Sequence, residues 1–446
     1  MLPHILLFAV LAFDPGTPTL RDVWVDPVHG SDSSDGASRT SALRTLGEAW
    51  RRIPAGTTLT EGVRIQLMAG VHRRDTIPHY FESRWGTRNA PIVIQSADGS
   101  RTARVEGDFN LYDVRYLYLI GLDMRPLPAG DVVHCEKCDH LLVRDCHLDG
   151  GAREAQETFK ANQSQHVYVE RSEIHGAYDN AIDLVAVQYG HLLHNKIYDA
   201  EDWCAYAKGG SAYLLVYGNE ISRCGTGGFT AGQGTGFQFM TPPWLHYEAY
   251  DVRVVNNHIH ETEGAGLGVN GGYNILLAHN TLERVGTRSH LVEIVHGGRS
   301  CDGEAGEPTR ARCAEYLAMG GWGNTLLSDG ENYTRIPNRN VFVYNNLIVN
   351  PEGVRASQHF SIAANFPNVQ IRGNTIVNAA DEEEASLLAQ NQVNGAGHRG
   401  TFTIPDFGWE DAPSQPPVPA GTLSNAGIAR SAPGRYRATK RRATSF

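Results

Sequence analysis

Three acids, an amide and two lysines carry the chemistry that this sequence most plainly offers. Glu157, Asp179, Asn180 and Asp183 supply oxygen-bearing side chains within one short stretch, and Lys160 and Lys208 supply amines close by. Ile174, Ile197 and Ile221 close three copies of a repeated segment. Counted back from them, Lys160, Asp183 and Lys208 lie 14, 14 and 13 places upstream. If the copies stack as parallel strands, the three side chains share one face at a spacing of ~5 Å. Such a column is costly unless it is solvated, paired or bound to something.

Oxygen donors of this kind suit a hard cation, Ca²⁺ above all. An amine beside a bound cation has its neutral form favoured and can take a proton. Together these parts can remove the weakly acidic proton next to a uronate carboxylate, the step that opens β-elimination. The expected metal ligands are therefore Glu157, Asp179, Asn180 and Asp183. The expected base is Lys208, with Lys160 next. The two Gly after Lys208 let a substrate come close to the backbone. The structural alternative is a ladder of ion pairs, with Lys208 on Asp183. Hydrolysis instead needs two carboxylates, for which Asp183 with Glu201 or Asp202 is available. Epimerisation of a uronate and non-catalytic carbohydrate binding complete the alternatives.

Substrate-binding candidates lie further on. Arg288 and Arg299, together with His290, His296, Arg310 and Arg312, can grip carboxylates. Trp244, Tyr247 and Trp322 can stack on sugar rings. The pair Cys135 and Cys138 has His134, His140, Cys146 and His147 nearby. A metal centre is one reading of it; a disulfide or stacked core cysteines is the plainer one. His258 and His260 read as structural. Cys301 and Cys313 bracket a polar stretch that a disulfide would staple.

These side chains need a scaffold, and a repeat supplies it. Alternating apolar residues, a polar turn and a closing Ile or Leu recur at Leu148, Ile174, Ile197, Ile221, Ile259, Leu282, Ile348 and Ile376. Neighbouring copies mostly lie 23 to 28 residues apart, the length of one solenoid coil with three short strands. Asn recurs two places before the closing residue, at Asn195, Asn219, Asn257, Asn280, Asn346 and Asn374. Asn tolerates a left-handed bend and can bond the same amide one coil away. No strand-plus-helix unit appears, and a propeller blade would be about twice as long. The fold class expected is thus all-β, a right-handed parallel β-helix, and 21–400 is its domain. Two steps are too long, which predicts loop insertions near 225–250 and 286–339. Ser41 to Ile53 reads as an amphipathic helix capping the first coil, with Leu43, Leu46, Ala49 and Trp50 inward.

The repeat and the turn-rich start Gly30-Ser-Asp-Ser-Ser-Asp-Gly36 resemble the pectin-lyase-like superfamily of right-handed β-helices. Within it, Asp179-Asn-Ala-Ile-Asp183 is similar to the Asp-Asp-Gly-Trp-Asp calcium motif of polysaccharide lyase family nine. Glu157-Thr-Phe159 occupies the place of that family's further calcium Asp. Ala205-Tyr-Ala-Lys208-Gly-Gly-Ser211 resembles its segment with the catalytic Lys. The resemblance implies Ca²⁺-assisted elimination on a pectate-like chain. The sequence departs from the motif in several places: Glu replaces one Asp, Asn180 another, and Ala-Ile stands for Gly-Trp. Lys208 is also one place off relative to its Gly pair.

The chain has 446 residues, 41% hydrophobic and 20% charged, with a formal net charge of −10. That balance argues against a nucleic-acid binder, which needs a face of clustered Lys and Arg. The expected partner is an acidic polysaccharide, with no nucleic acid, no membrane and a monomeric chain. The apolar run Ile5 to Phe13 has signal-peptide length, so 1–20 is read as a signal peptide and the protein as secreted or periplasmic. The extension 401–446, with its basic tail, is read as partly disordered.

Overall fold

A computed structural model describes residues 12–126, 130–240, 247–288, 290–300, 335–350, 358–379 and 385–404. They form two compact units, one of residues 13–183 with 190–202, the other of 184–189 with the described residues from 203 onward. Each is a stack of coils, and a typical coil gives one strand to each of three sheets. In the first unit one coil runs Val133–Glu136, Asp139–Arg144, His147–Asp149, and the next runs Phe159–Asn162, Gln165–Glu170, Glu173–His175. Each strand pairs in parallel with its counterpart one coil away. The second unit repeats the plan: Gly227–Gly232 pairs with Leu267–Asn270, Ala249–Val255 with Gly272–Ala278, and His258–His260 with Thr281–Glu283, all parallel. An antiparallel pair, Gln392–Val393 with Ala396–Gly397, follows the last coils. Among the described residues no helix is long and apolar enough to cross a membrane.

Alternation explains the core. In Leu141 to Val143 and Val167 to Val169 the inward residues are buried aliphatics, and the closing residues Leu148, Ile174, Ile259 and Leu282 are fully buried. The same inward positions in successive coils touch along the stack, so one apolar column serves many coils.

The asparagines form the ladder that their spacing predicts. In the second unit the side chain of Asn219 donates to Asn257, Asn257 to Asn280, Asn280 to Asn346, Asn346 to Asn374 and Asn374 to Asn391. All are buried. One expectation needs correcting. The left-handed residue is not the ladder Asn but the one before it: Gly218, Asn256, His279, Asn345 and Gly373 have φ between 55° and 68°. The bend thus falls one place earlier and turns the next amide inward, where it meets its neighbour.

The cap and loops also differ from expectation. The helix is only Leu46–Arg51, with Thr45 capping its first turn. Leu43 is buried in a bridge to Val25 rather than on a helical turn. Gly227–Gly232 and His290–Val295, inside the expected insertions, are strands of the stack. The closing residues mark one strand per coil, so their spacing could count the excess residues but not place them. The stretches 241–246 and 301–334 lie outside the described residues, as do 1–11 and 405–446.

One buried ion cluster of the first unit carries a pH prediction. Glu170, fully buried, accepts from His191 Nε2 at 2.7 Å, Arg144 Nε at 2.7 Å and the backbone N–H of Phe13 at 2.6 Å. Burial alone would raise its pKa, but His191 and Arg144 outweigh burial and hold the carboxyl at about 2. A depressed carboxyl contributes stability above its unfolded pKa and loses it as pH falls towards the folded value. Between about pH 4.5 and 2 the melting temperature of the parent should therefore fall more steeply than that of Glu170→Gln. Parallel slopes in scanning calorimetry would contradict this.

Candidate active site

A patch of the first unit gathers five ionisable side chains on neighbouring coils. His134 and Lys160 are register partners on adjacent strands, with Asn110 opposite His134 one coil earlier. Alternation points all three to the same face of the sheet. Lys160 Nζ lies 3.6 Å from Glu157 Oε1 and 3.4 Å from Asp183 Oδ2. His134 Nδ1 lies 3.3 Å from Asp131 Oδ2, and the other oxygen of Asp131 accepts the backbone N–H of Glu157 at 3.0 Å. Glu157 in turn accepts the N–H of Asn180 at 2.8 Å. The Asn180 side chain donates to Asp179 at 2.9 Å.

Depth sorts these groups. The side chains of His134 and Lys160 are 30% and 19% exposed, whereas those of Glu157 and Asp183 are at 2% and 4%. A cation and an imidazole thus meet solvent above a floor of carboxyls. Burial, reinforced by Asp183, pushes the Glu157 carboxyl up to about 9. Burial also raises Asp131, although Lys160 and His134 pull against it. Burial lowers His134 more than Asp131 raises it, which favours the neutral ring. For Lys160 burial works against the charge, but Asp183, Glu157 and Asp131 outweigh it and its pKa rises. Lys160 is therefore held as an ammonium and is a poor proton acceptor.

The resemblance implies Ca²⁺, and the side chains present do not fit it. The ammonium of Lys160 stands between Glu157 and Asp183, where the ion would have to sit. Among the described residues, the groups whose ligand atoms converge within 4.8 Å do not include Glu157, Asp179 or Asp183. Asp183 Oδ1 and Asn162 Oδ1 are buried there without a hydrogen-bond partner. The second oxygen of Asp183 already serves Lys160.

The remaining candidates are placed elsewhere. Lys208, in the second unit, donates to Gln233 Oε1 at 2.8 Å and lies 4.2 Å over the ring of Tyr206. Its predicted partner Asp183 is instead engaged by Lys160. Arg299 is a correction: it is fully buried and ion-paired with the equally buried Glu248, so it cannot meet a sugar carboxylate. Tyr247 is likewise buried, packed among Tyr250 and Tyr273, and presents no platform. Both lie in segments that the excess length between closing residues assigned to loops but which pack into the coils. Arg288 is 61% exposed, 3.6 Å from Glu263. Trp244, Arg310, Arg312, Trp322, Cys301 and Cys313 lie outside the described residues. Cys135 and Cys138 form a disulfide, as do Cys204 and Cys224.

The sequence did not single out Asp131, and it offered His134 only as a neighbour of the Cys135 and Cys138 pair. His134 lies 14 places before Leu148, the same interval that separates Lys160 from Ile174. Extending that count one coil towards the N-terminus finds it.

Residues 131–302 match the family described as the right handed beta helix region. The chain is a right-handed parallel β-helix. This agrees with the fold that the repeat predicts. No curated protein matches the sequence. Among solved structures, the β-helix is similar to XylC in its complex with xylose, at 11% identity and TM-score 0.51, over 84% of this chain and 86% of that one. It is also similar to the A-module of the Azotobacter vinelandii mannuronan C-5 epimerase AlgE6, at 15% identity and TM-score 0.44, over 72% and 92%. Pectate lyase Pel9A is similar at 14% identity and TM-score 0.41, over 86% and 88%. At these identities the likeness concerns the β-helix fold alone.

Proposed function

We propose that this β-helix is an enzyme acting on an acidic polysaccharide, abstracting the proton beside a uronate carboxylate and cleaving the chain by β-elimination. The observation that supports it is the pairing of a solvent-reaching imidazole, backed by Asp131, with the Lys160 ammonium one coil away. Lys160 binds the substrate carboxylate. Its charge polarises that group and stabilises the enolate-like state formed when the neighbouring C–H loses its proton. His134 takes that proton on Nε2, with Asp131 at Nδ1 favouring the imidazolium that forms. The electron pair of the C–H bond becomes the new C=C bond, and the glycosidic C–O bond at the β carbon breaks. The departing oxygen needs a proton, which the imidazolium can return.

The sequence pointed to a Lys base and to calcium; on this reading Lys160 is the electrophile and no step needs a metal. Secretion or export to the periplasm remains part of the proposal. The test is incubation of the purified protein with a panel of acidic glycans, including pectate and alginate. Elimination raises ultraviolet absorbance as unsaturated uronate ends appear. The expected result is such a rise with at least one glycan, unchanged by prolonged chelation and by Lys208→Ala. Chain cleavage without the chromophore would favour hydrolysis, and solvent deuterium incorporation without cleavage would favour epimerisation. A rate abolished by chelation and restored by Ca²⁺ would return the calcium mechanism.

A further inference from the structure

A second cluster lies on a different sheet from Lys160 and takes no part in that chemistry. His147 and Asp149 are two places apart on one strand, so their side chains share a face. His175 is the register partner of Asp149 on the next coil. The two Nε2 atoms of His147 and His175 face each other at 3.0 Å, and Asp149 Oδ1 lies 3.9 Å from His175 Nε2. All three ligand atoms fall within 4.8 Å of one another.

Each of the three is held from behind. Asp123 Oδ1 accepts from His147 Nδ1 at 2.8 Å, which fixes the tautomer and turns the Nε2 lone pair towards His175. Arg125 Nη1 sits 2.6 Å from Asp149 Oδ2 and so occupies the oxygen that points away. The Tyr198 ring stacks on His175 with centroids 4.5 Å apart and planes 5° from parallel, and its hydroxyl donates to Glu173. A carboxylate behind a metal-binding imidazole is the usual orienting arrangement for such ligands.

We propose that His147, His175 and Asp149 form a binding site for a borderline divalent transition ion of the Zn²⁺ class, with solvent completing the tetrahedron. Two imidazole nitrogens at about 2.0–2.1 Å from a tetrahedral ion stand roughly 3.3 Å apart, so the pair needs to open by only a few tenths of an ångström. Two nitrogen donors and one carboxylate suit Zn²⁺ far better than Ca²⁺, which takes six to eight oxygens. Without metal, a single hydrogen between the two Nε2 atoms satisfies the pair, and with metal bound His175 would carry that hydrogen on Nδ1 instead. Because the ligands come from two neighbouring coils, the ion would clip one coil to the next.

The test uses the untagged full chain, stripped with a chelator and dialysed. Calorimetric titration with ZnSO₄ should show saturable 1:1 binding. His147→Ala and His175→Ala should each lower the affinity by more than 100-fold, and Asp123→Asn by roughly 10–100-fold. Asp139→Ala, in the neighbouring Asp139, His140 and His166 group, should leave it unchanged. Crystals of the parent protein soaked in Zn²⁺ should give an anomalous peak between His147 and His175, a readout that needs no variant to fold. No saturable binding at micromolar Zn²⁺, a peak at His140 and His166 instead, or full affinity in both His variants would overturn the proposal.

Discussion

His134→Ala should lower kcat on the responsive glycan by roughly 10²–10⁴, the usual contribution of a general base, and leave folding nearly intact. The side chain is 30% exposed and its loss opens no buried void, so a fall in turnover can be separated from a loss of structure by circular dichroism and a melting curve. His134→Gln, which keeps polarity but not basicity, should behave alike. Asp131→Asn should cost less, because it removes only the charge that favours the imidazolium. The pH profile adds a further check. Burial lowers the pKa of His134, so kcat/KM should hold through neutral pH and fall on the acid side as the ring is protonated. Lys160 should behave differently. Lys160→Arg keeps a cation and should retain part of the activity, chiefly with a changed KM. Lys160→Ala leaves Asp183 buried without its partner and should lose stability as well as rate. Parent-level turnover in a well-folded His134→Ala protein would remove the imidazole from the mechanism and send attention to Lys208.

The largest stability loss is expected inside the asparagine ladder. Asn280 donates its side-chain amide to Val254 O at 2.9 Å and to Asn346 Oδ1 at 3.0 Å. Its own Oδ1 accepts both the backbone and side-chain N–H of Asn257, each at 3.0 Å. Asn280→Ala strands several of these partners in a site closed to water. An orphaned buried polar group costs about 1–3 kcal/mol, so a total near roughly 3 kcal/mol is expected in denaturant unfolding. Asn280→Asp should fare no better, because a carboxylate cannot donate to Val254 O. A loss below about 1 kcal/mol for the Ala variant would mean that water or a shift of the coil replaces the bonds.

The ladder and the site differ in how far the sequence discloses them. The ladder was legible because one residue type recurs at one position before an apolar anchor, and the same physical need acts on every coil. That Lys160 and Asp183 share a face also followed from counting back to the anchors, although the partner expected for Asp183 was Lys208. What the count could not give was charge state. Lys160 and Lys208 look alike in the sequence, yet one stands among buried carboxyls and the other beside the neutral Gln233 and Tyr206. Arg299 illustrates the same limit. A Gly-rich, polar neighbourhood reads as solvent-facing, but a carboxylate distant in sequence, Glu248, draws the guanidinium into the interior. Such pairings depend on which coils become neighbours across an irregular step, and the local pattern carries no record of that.

The left-handed bend before each ladder Asn has a consequence for how such a chain can change length. Asn257 and Asn280 are 23 residues apart and make the same bonds to the same kinds of neighbour. Each is preceded by a left-handed residue, Asn256 and His279. Cutting the chain at one bend and rejoining it at the next would bring together ends that already match in direction, handedness and bonding. Whole coils are therefore interchangeable modules, and the gene can gain or lose them by unequal recombination. A deletion of an odd number of residues within a strand has no such refuge, because it would turn every later side chain on that strand to the opposite face.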